Sequence, residues 1–216
     1  GSLDIGLPPV AKWAQQDVKA AIVPPVLRGE KIAALAVTEP GGGSDVANIK
    51  TRAVRDGDDY IVNGSKTFIT SGMRADHYTV AVRTGGEGHG GISLLLIDRD
   101  MPGFSTGKKL KKMGWWASDT AELFFEDCRV PANRLIGAEN AGFIAIMSNF
   151  LFERLSLSIM AYMTAEIALE AGAGQLIEVF VGGHGQHPAQ PRIDRRAGGH
   201  RGLQVTGMAD HVRVGV

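Results

Sequence analysis

Between Pro9 and Pro24 the residues Ala14, Val18, Ala21 and Ile22 recur at helical spacing, with Lys12, Gln15, Gln16 and Lys19 between them. Apolar positions so spaced share one helix face, and Pro24–Pro25 removes two backbone donors, so the pattern predicts one short amphipathic helix that ends there. No second helical pattern follows for the next hundred residues, which places its expected packing surface outside this sequence. From Ala33 to Val130 the texture changes to short β-type runs broken by turn residues: AALAVT, KTRAVRD, DYIVNG, SKTFIT, HYTVAVRT, GISLLLID and TAELFFED. Such runs, at intervals of roughly ten residues, predict an antiparallel sandwich or barrel. Asn63–Gly64, flanked by Tyr60–Val62 and Lys66–Phe68, predicts a tight hairpin, because both residues tolerate the positive φ of a type I′ turn.

Past Pro131 a helix-length apolar pattern runs from about Glu139 to about Glu170, and Gly172 and Gly174 supply its expected stop. Its stretch from Ala141 to Met163 is long enough to span a bilayer, but Asn149, Glu153 and Arg154 sit in the middle without aromatic or basic flanks. A buried helix of a soluble protein is therefore expected, with no membrane span. The fold class expected is α+β: a central antiparallel β-barrel or sandwich between an N-terminal helix and a long apolar C-terminal helix. Boundaries fall at 1–32, 33–134, 135–171 and 172–216, the last segment being rich in Gly, His, Arg, Gln and Pro and possessing little that can pack.

Composition narrows the partners. Lys and Arg total 23 and so do Asp and Glu. A chain with no net charge lacks the cationic field of nonspecific nucleic-acid binding and offers no polybasic membrane anchor. The lone cysteine, Cys128, excludes an intramolecular disulfide framework and an all-cysteine zinc site, and suits a reducing compartment. The opening GSLDIGLPPV has neither the basic start and apolar core of a signal peptide nor the Arg-rich text of a transit segment, so a cytoplasmic protein is expected. His184, His187, His200 and His211 have no acidic or cysteine partner at ligand spacing, and no metal is expected.

Two places carry candidate chemistry. In AVTEPGGGSD, three glycines follow a β run with hydroxyls at Thr38 and Ser44 beside them; the loop is either a backbone N–H cradle for an anion such as a pyrophosphate or an ordinary glycine turn. On the long helix, Ile146, Phe150, Glu153, Leu157 and Met160 share a face, so Glu153 sets a carboxylate on an apolar stripe. Desolvation there would raise its pKa toward that of a general base, the alternative being a solvated or interface-paired glutamate. Arg154, one residue on, does not share that face. Trp115–Trp116 reads as a packing or rim pair.

The segments ALAVTEPGGGSDVANIKTRA, VNGSKTFITSG and MGWWASDTAELFFEDCRVPANRLIGAENAGF, in that order, resemble the acyl-CoA dehydrogenase family over about residues 4–170. The resemblance implies FAD as cofactor and an acyl-CoA as substrate. It further implies that Val37, Thr38, Gly43 and Ser44 line the flavin and its pyrophosphate, with Ser44 also near the CoA arm. Phe68 stands where the family often has tryptophan against the flavin, Ile69 follows it, and Thr70 would place its hydroxyl near flavin N5. FERLSLS is similar to the segment at which isovaleryl-type and long-chain-type members keep their catalytic base, which would be Glu153, with Arg154 and Phe150 at the substrate. An electron-transferring flavoprotein as acceptor and a homo-oligomer, tetramer or dimer, are implied likewise.

The pattern also departs from the family. Members are close to twice this length, so the resemblance implies truncation at both ends, residues 1–32 being a remnant of a helical N-terminal domain. An Arg-x-x-Phe-Gly element that reaches the neighbouring subunit's FAD is replaced by EVFVGG, and residues 172–216 read as a disordered or frame-shifted tail. A β domain and a very apolar helix that lose their covering helices predict exposed patches, and with them oligomerisation or poor solubility. Two alternatives stay open: a flavin oxidase or monooxygenase of the same fold, and an inactive fragment that serves as a binding or assembly module.

Overall fold

The structure, a computed structural model, describes residues 2–181, and the side chains of residue 3 and of 5–172 within them. Two compact units divide the chain, Gly1–Met163 and Thr164–Val216. The described part of the second is helical, residues 164–181; the tail beyond it, with its histidines, lies outside the described residues.

In the first unit, helices α1 (Pro8–Trp13) and α2 (Gln16–Leu27) precede the strands β1 (Ala33–Ala36), β2 (Arg52–Asp56), β3 (Asp59–Thr70), β4 (His77–Arg83), β5 (Ile92–Asp98), β6 (Phe104–Lys109), β7 (Thr120–Pro131) and β8 (Leu135–Ile136), and α3 (Gly142–Val181) begins after them. The strands form one sheet in the order β6-β7-β3-β2-β4-β5-β8. β1 lies parallel to β4, on the edge of β4 that β2 meets farther along at Arg83. β2 also meets β4 in parallel, and the remaining neighbours are antiparallel. The α+β class and the antiparallel β domain between helices hold.

The apolar runs of β4 and β5 follow from burial on both faces. Leu94 and Leu96 pack with Val10, Val18, Ile22 and Val26 of the helices, while Leu95 and Ile97 join Tyr60, Val62, Leu123 and Phe125 in a second core. Each such side chain contributes about 1.5–3 kcal/mol on leaving water, so both faces are needed to hold the sheet.

Several expectations are corrected. The N-terminal pattern forms two helices with an extended break at Ala14 and Gln15, and Pro24–Pro25 sit inside α2, which runs on to Leu27. Their packing surface is within the chain, since the sheet supplies it. Asn63–Gly64 is no turn: β3 passes through it and is irregular there against β7, and the two-residue turn is Gly57–Asp58 between the paired Asp56 and Asp59. A Cβ on Gly64 would stand 2.7 Å from Thr51 Cα, so glycine is kept there for close approach of two backbones, at φ 141°.

The long helix runs through Gly172 and Gly174 to Val181, each interior glycine costing about 1 kcal/mol against alanine and no proline enforcing a stop. Its burial also differs from expectation. Ala145, Ile146 and Asn149 are buried, but Leu151, Phe152, Leu155, Ile159 and Tyr162 are exposed. By length and composition alone Gly142–Gly172 could cross a membrane. The sequence pattern missed β6, whose FSTGKK is almost wholly polar, and β8, two residues long.

Candidate functional site

At the end of β1 the chain continues through Val37 and Thr38 and then folds back tightly, Glu39 and Gly42 exchanging backbone hydrogen bonds of 3.0 and 3.1 Å. β3 passes beside this segment, and the Thr67 N–H donates to the Thr38 carbonyl at 2.9 Å. Between Lys66 and Ile69 the pairing of β3 with β7 shifts register, and Phe68 takes a φ of 58°. This turns the Phe68 ring off the sheet, 66% exposed.

The far side of the bulge is anchored by Asp119. Its carboxylate accepts from the Met73 N–H at 2.7 Å and Arg74 Nε at 2.6 Å, and its carbonyl accepts from the Ser71 N–H at 3.0 Å. Burial alone would push the Asp119 carboxyl up, but these donors hold it below its ordinary value. Tyr78 closes the same corner, its hydroxyl donating to the Gly72 carbonyl at 2.8 Å.

Helix α3 supplies the opposite wall. Asn149 Nδ2 donates to the Ile5 carbonyl at 3.2 Å, which pins this turn of the helix to the opening segment. Phe150, the next residue, and Glu153, one turn on, face a cavity of about 170 Å³ whose other walls include Val37–Thr38 and Phe68–Ser71. Oε2 of Glu153 is buried with no hydrogen-bond partner among the described residues. Desolvation raises the pKa of this carboxyl, the neighbouring Arg154 charge opposing the rise. A second cavity of about 590 Å³ shares Ile5, Thr70, Ser71 and Glu153 and extends to Arg74, Lys112, Trp115 and Met160. Glu153 thus stands where a narrow slot opens into a wider channel that has cations along it.

Seven of the residues singled out in the sequence therefore meet: Val37, Thr38, Phe68, Ile69, Thr70, Phe150 and Glu153 all line the slot. Gly43, Ser44 and Arg154 do not. Gly43 backs onto Thr38, where an added Cβ would lie 2.8 Å from Cγ2, and Ser44 and Arg154 are exposed. Trp115 lines the wider channel, whereas Trp116 does not and donates from Nε1 to the Lys112 carbonyl at 3.0 Å. Cys128 is fully buried and its thiol is pushed up to about 11 by desolvation, the opposite of an activated nucleophile.

Sequence reasoning missed Glu39, Lys66, Arg74 and Asp119. Lys66 has no exposed surface, and its Nζ donates to Glu39 Oε1 at 2.8 Å and to the Val37 carbonyl at 3.0 Å. The available signal was a lysine amid a run of strand residues, KTFI, which is out of place in a core unless paired.

Residues 34–128 match the model of the acyl-CoA dehydrogenase middle domain. Mouse mitochondrial long-chain specific acyl-CoA dehydrogenase is 44% identical over 170 residues, which are 77% of this chain and 40% of that protein. Among solved structures, a probable acyl-CoA dehydrogenase from Mycobacterium abscessus is 55% identical with a TM-score of 0.79, over 80% of this chain and 46% of that one. An acyl-CoA dehydrogenase complexed with FAD, from Bacillus anthracis, is 34% identical with a TM-score of 0.76, over 80% of this chain and 30% of that one. The chain spans less than half the length of these relatives.

Proposed function

This chain belongs, over the part it spans, to the acyl-CoA dehydrogenase family, and from that premise we propose that its cleft serves the FAD-dependent α,β-dehydrogenation of an acyl-CoA thioester. The observation that carries this reading is the buried Oε2 of Glu153, without a hydrogen-bond partner among the described residues and set across one cavity from Phe68 and Thr70. A carboxylate desolvated and left without a donor is a proton acceptor waiting for an acid, and the acyl α-carbon is one.

The residues present fit the cofactor. Val37 and Thr38 offer main-chain groups, Thr70 a hydroxyl, and Phe68 a flat ring held outward by a strained backbone. The tight Glu39–Gly42 turn, followed by Gly43 and Ser44, lets backbone N–H groups approach a pyrophosphate. When bound, FAD supplies the acceptor for a hydride from the acyl β-carbon.

Everything else is the work of this chain. Glu153 takes the α-proton on Oε2, and its raised pKa brings it closer to the task than a solvated carboxylate. Phe150 and Ile5 exclude water from the slot, which keeps the carboxylate basic. Lys112 lines the wider channel and offers positive charge to the phosphates of CoA, while the Arg74 charge there is taken up by Asp119. The reading includes an electron-transferring flavoprotein as acceptor, a homo-oligomer that covers the exposed face of α3, and a cytoplasmic setting suited to the single thiol.

Visible spectra of the purified protein with added FAD, then with short-, medium- and long-chain acyl-CoA without oxygen, test it. A flavin spectrum that bleaches with one substrate is expected, and the substrate that bleaches it fastest ranks chain length. Bleaching followed by peroxide formation in air would favour an oxidase of the same fold. Failure to retain flavin would overturn the enzymatic reading and leave a binding or assembly module.

A further inference from the structure

We infer that the buried Lys66–Glu39 pair is a clamp that fixes the two walls of the slot against each other, which makes both side chains positioning residues for the flavin site. That role rests on the flavin reading above, but the geometry of the clamp stands by itself.

Lys66 reaches from β3 to the opposite wall and makes two bonds there, one to the Glu39 carboxylate and one to the Val37 carbonyl. The next residue, Thr67, bonds the Thr38 carbonyl. Two consecutive residues of β3 therefore hold two consecutive residues of the other wall, and the residue after them, Phe68, faces the slot.

Glu39 completes the arrangement. Its two oxygens accept from the Lys50 N–H at 2.6 Å and the Thr51 N–H at 2.9 Å, so the carboxylate ties the approach to β2 to the same point. Glu39 is also the residue from which the glycine turn hangs, through its paired bonds with Gly42. One buried carboxylate thus joins the glycine turn, the approach to β2 and the bulge of β3.

A core does not need an ion pair in this place. Replacing a buried pair with apolar side chains of similar volume is often neutral or stabilising, so stability alone gives no reason for a lysine with no exposed surface. What methionine in its place cannot do is donate to a carboxylate and a carbonyl together. Desolvation lowers the Lys66 pKa to about 8, with Glu39 opposing the fall, and Glu39 in turn stays below its ordinary value because Lys66, Thr51 and Lys50 outweigh its own burial. The pair is thus held charged near neutrality.

The test compares the wild-type chain with Glu39→Gln, Lys66→Met and the double variant. Glu39→Gln keeps an acceptor without the charge, and the double variant leaves no unpaired charge, so both remain informative where Lys66→Met does not fold. Amide hydrogen exchange is followed over residues 37–44 and 66–70 and, as reference, over β4 and β5. The expected result is exchange faster by about tenfold in the two wall segments only, with β4 and β5 unchanged. FAD affinity, read by flavin fluorescence, should fall by about tenfold in the double variant. Unchanged exchange, or loosening shared by β4 and β5, overturns the clamp and makes the pair ordinary core. If the wild-type chain takes up no FAD, the cofactor reading fails while the exchange comparison still decides the clamp.

Discussion

Lys66 and Phe68 are two positions apart on β3, yet Lys66 has no exposed surface and Phe68 is 66% exposed. In a regular strand residues i and i+2 share a face. The register shift between Lys66 and Ile69 breaks that rule, and the positive φ of Phe68 is its local signature. A bulge of this kind re-aims a side chain at the rim of a site, and here it lets one short segment serve the core and the cleft at once.

A left-handed conformation costs a residue with a Cβ about 1–2 kcal/mol, and the ring recovers little of it by burial. Phe68→Gly should therefore hold its stability in urea melts to within about 1 kcal/mol of wild type, or gain slightly. Its FAD affinity should fall by about tenfold or more. A stability loss well beyond 2 kcal/mol would show that the ring is core after all.

Glu153 carries the complementary prediction. Its folded-state pKa is raised, so the folded chain binds the proton more tightly than the unfolded one, and stability declines as pH rises from the ordinary carboxylate value through the folded one. Glu153→Gln should melt a few degrees higher than wild type at neutral pH, and the two should converge below about pH 4. Substrate-dependent bleaching of flavin should slow by at least about a hundredfold. A glutamine variant that bleaches at the wild-type rate would remove Glu153 as the base.

Asp119 behaves in the opposite sense. Its folded pKa is depressed, so its contribution is present above the ordinary aspartate value and disappears as pH falls through the folded one. Between about pH 4 and 2, wild type should lose melting temperature more steeply than Asp119→Asn. Parallel curves would mean that Asp119 contributes by shape alone. The Arg74 partner is half exposed, so the backbone donor from Met73 should account for much of the effect.

Gly64→Ala should destabilise by about 2–4 kcal/mol, since the added Cβ meets Thr51 backbone and the φ is unfavourable to any L side chain. Denaturant midpoints measure it. Gly41→Ala, where nothing lies within 4 Å of the new atom, is the control and should shift the midpoint little.

The sequence carried β2, β4, β5 and β7 because apolar and β-branched residues marked them, and it carried the slot because its residues lie in dense motifs. It misread Asn63–Gly64, since the same dipeptide suits a type I′ turn and a bulge; what decides between them is pairing with β7, where the Asn63 amide donates to the Asp127 carboxylate and accepts from the Asp127 N–H, 64 positions away. Glu39 and Lys66 were invisible for a related reason. A buried ion pair leaves no periodic trace, and its partners are 27 positions apart. Gly43 and Ser44 were placed at the slot by motif alone, whereas the tight Glu39–Gly42 turn carries them past its edge.

Cys128 sits opposite Val62 in the β3–β7 ladder, with no exposed surface and a thiol that stays protonated until about pH 11. A thiol-specific reagent reaches that sulfur only after the two strands part, so its labelling rate counts openings of the β3–β7 ladder. Because Cys128 is the chain's sole cysteine, that count needs no engineered probe. A small molecule that binds the closed β3–β7 ladder in preference to the opened one should slow the reaction, whether or not it absorbs light or turns over.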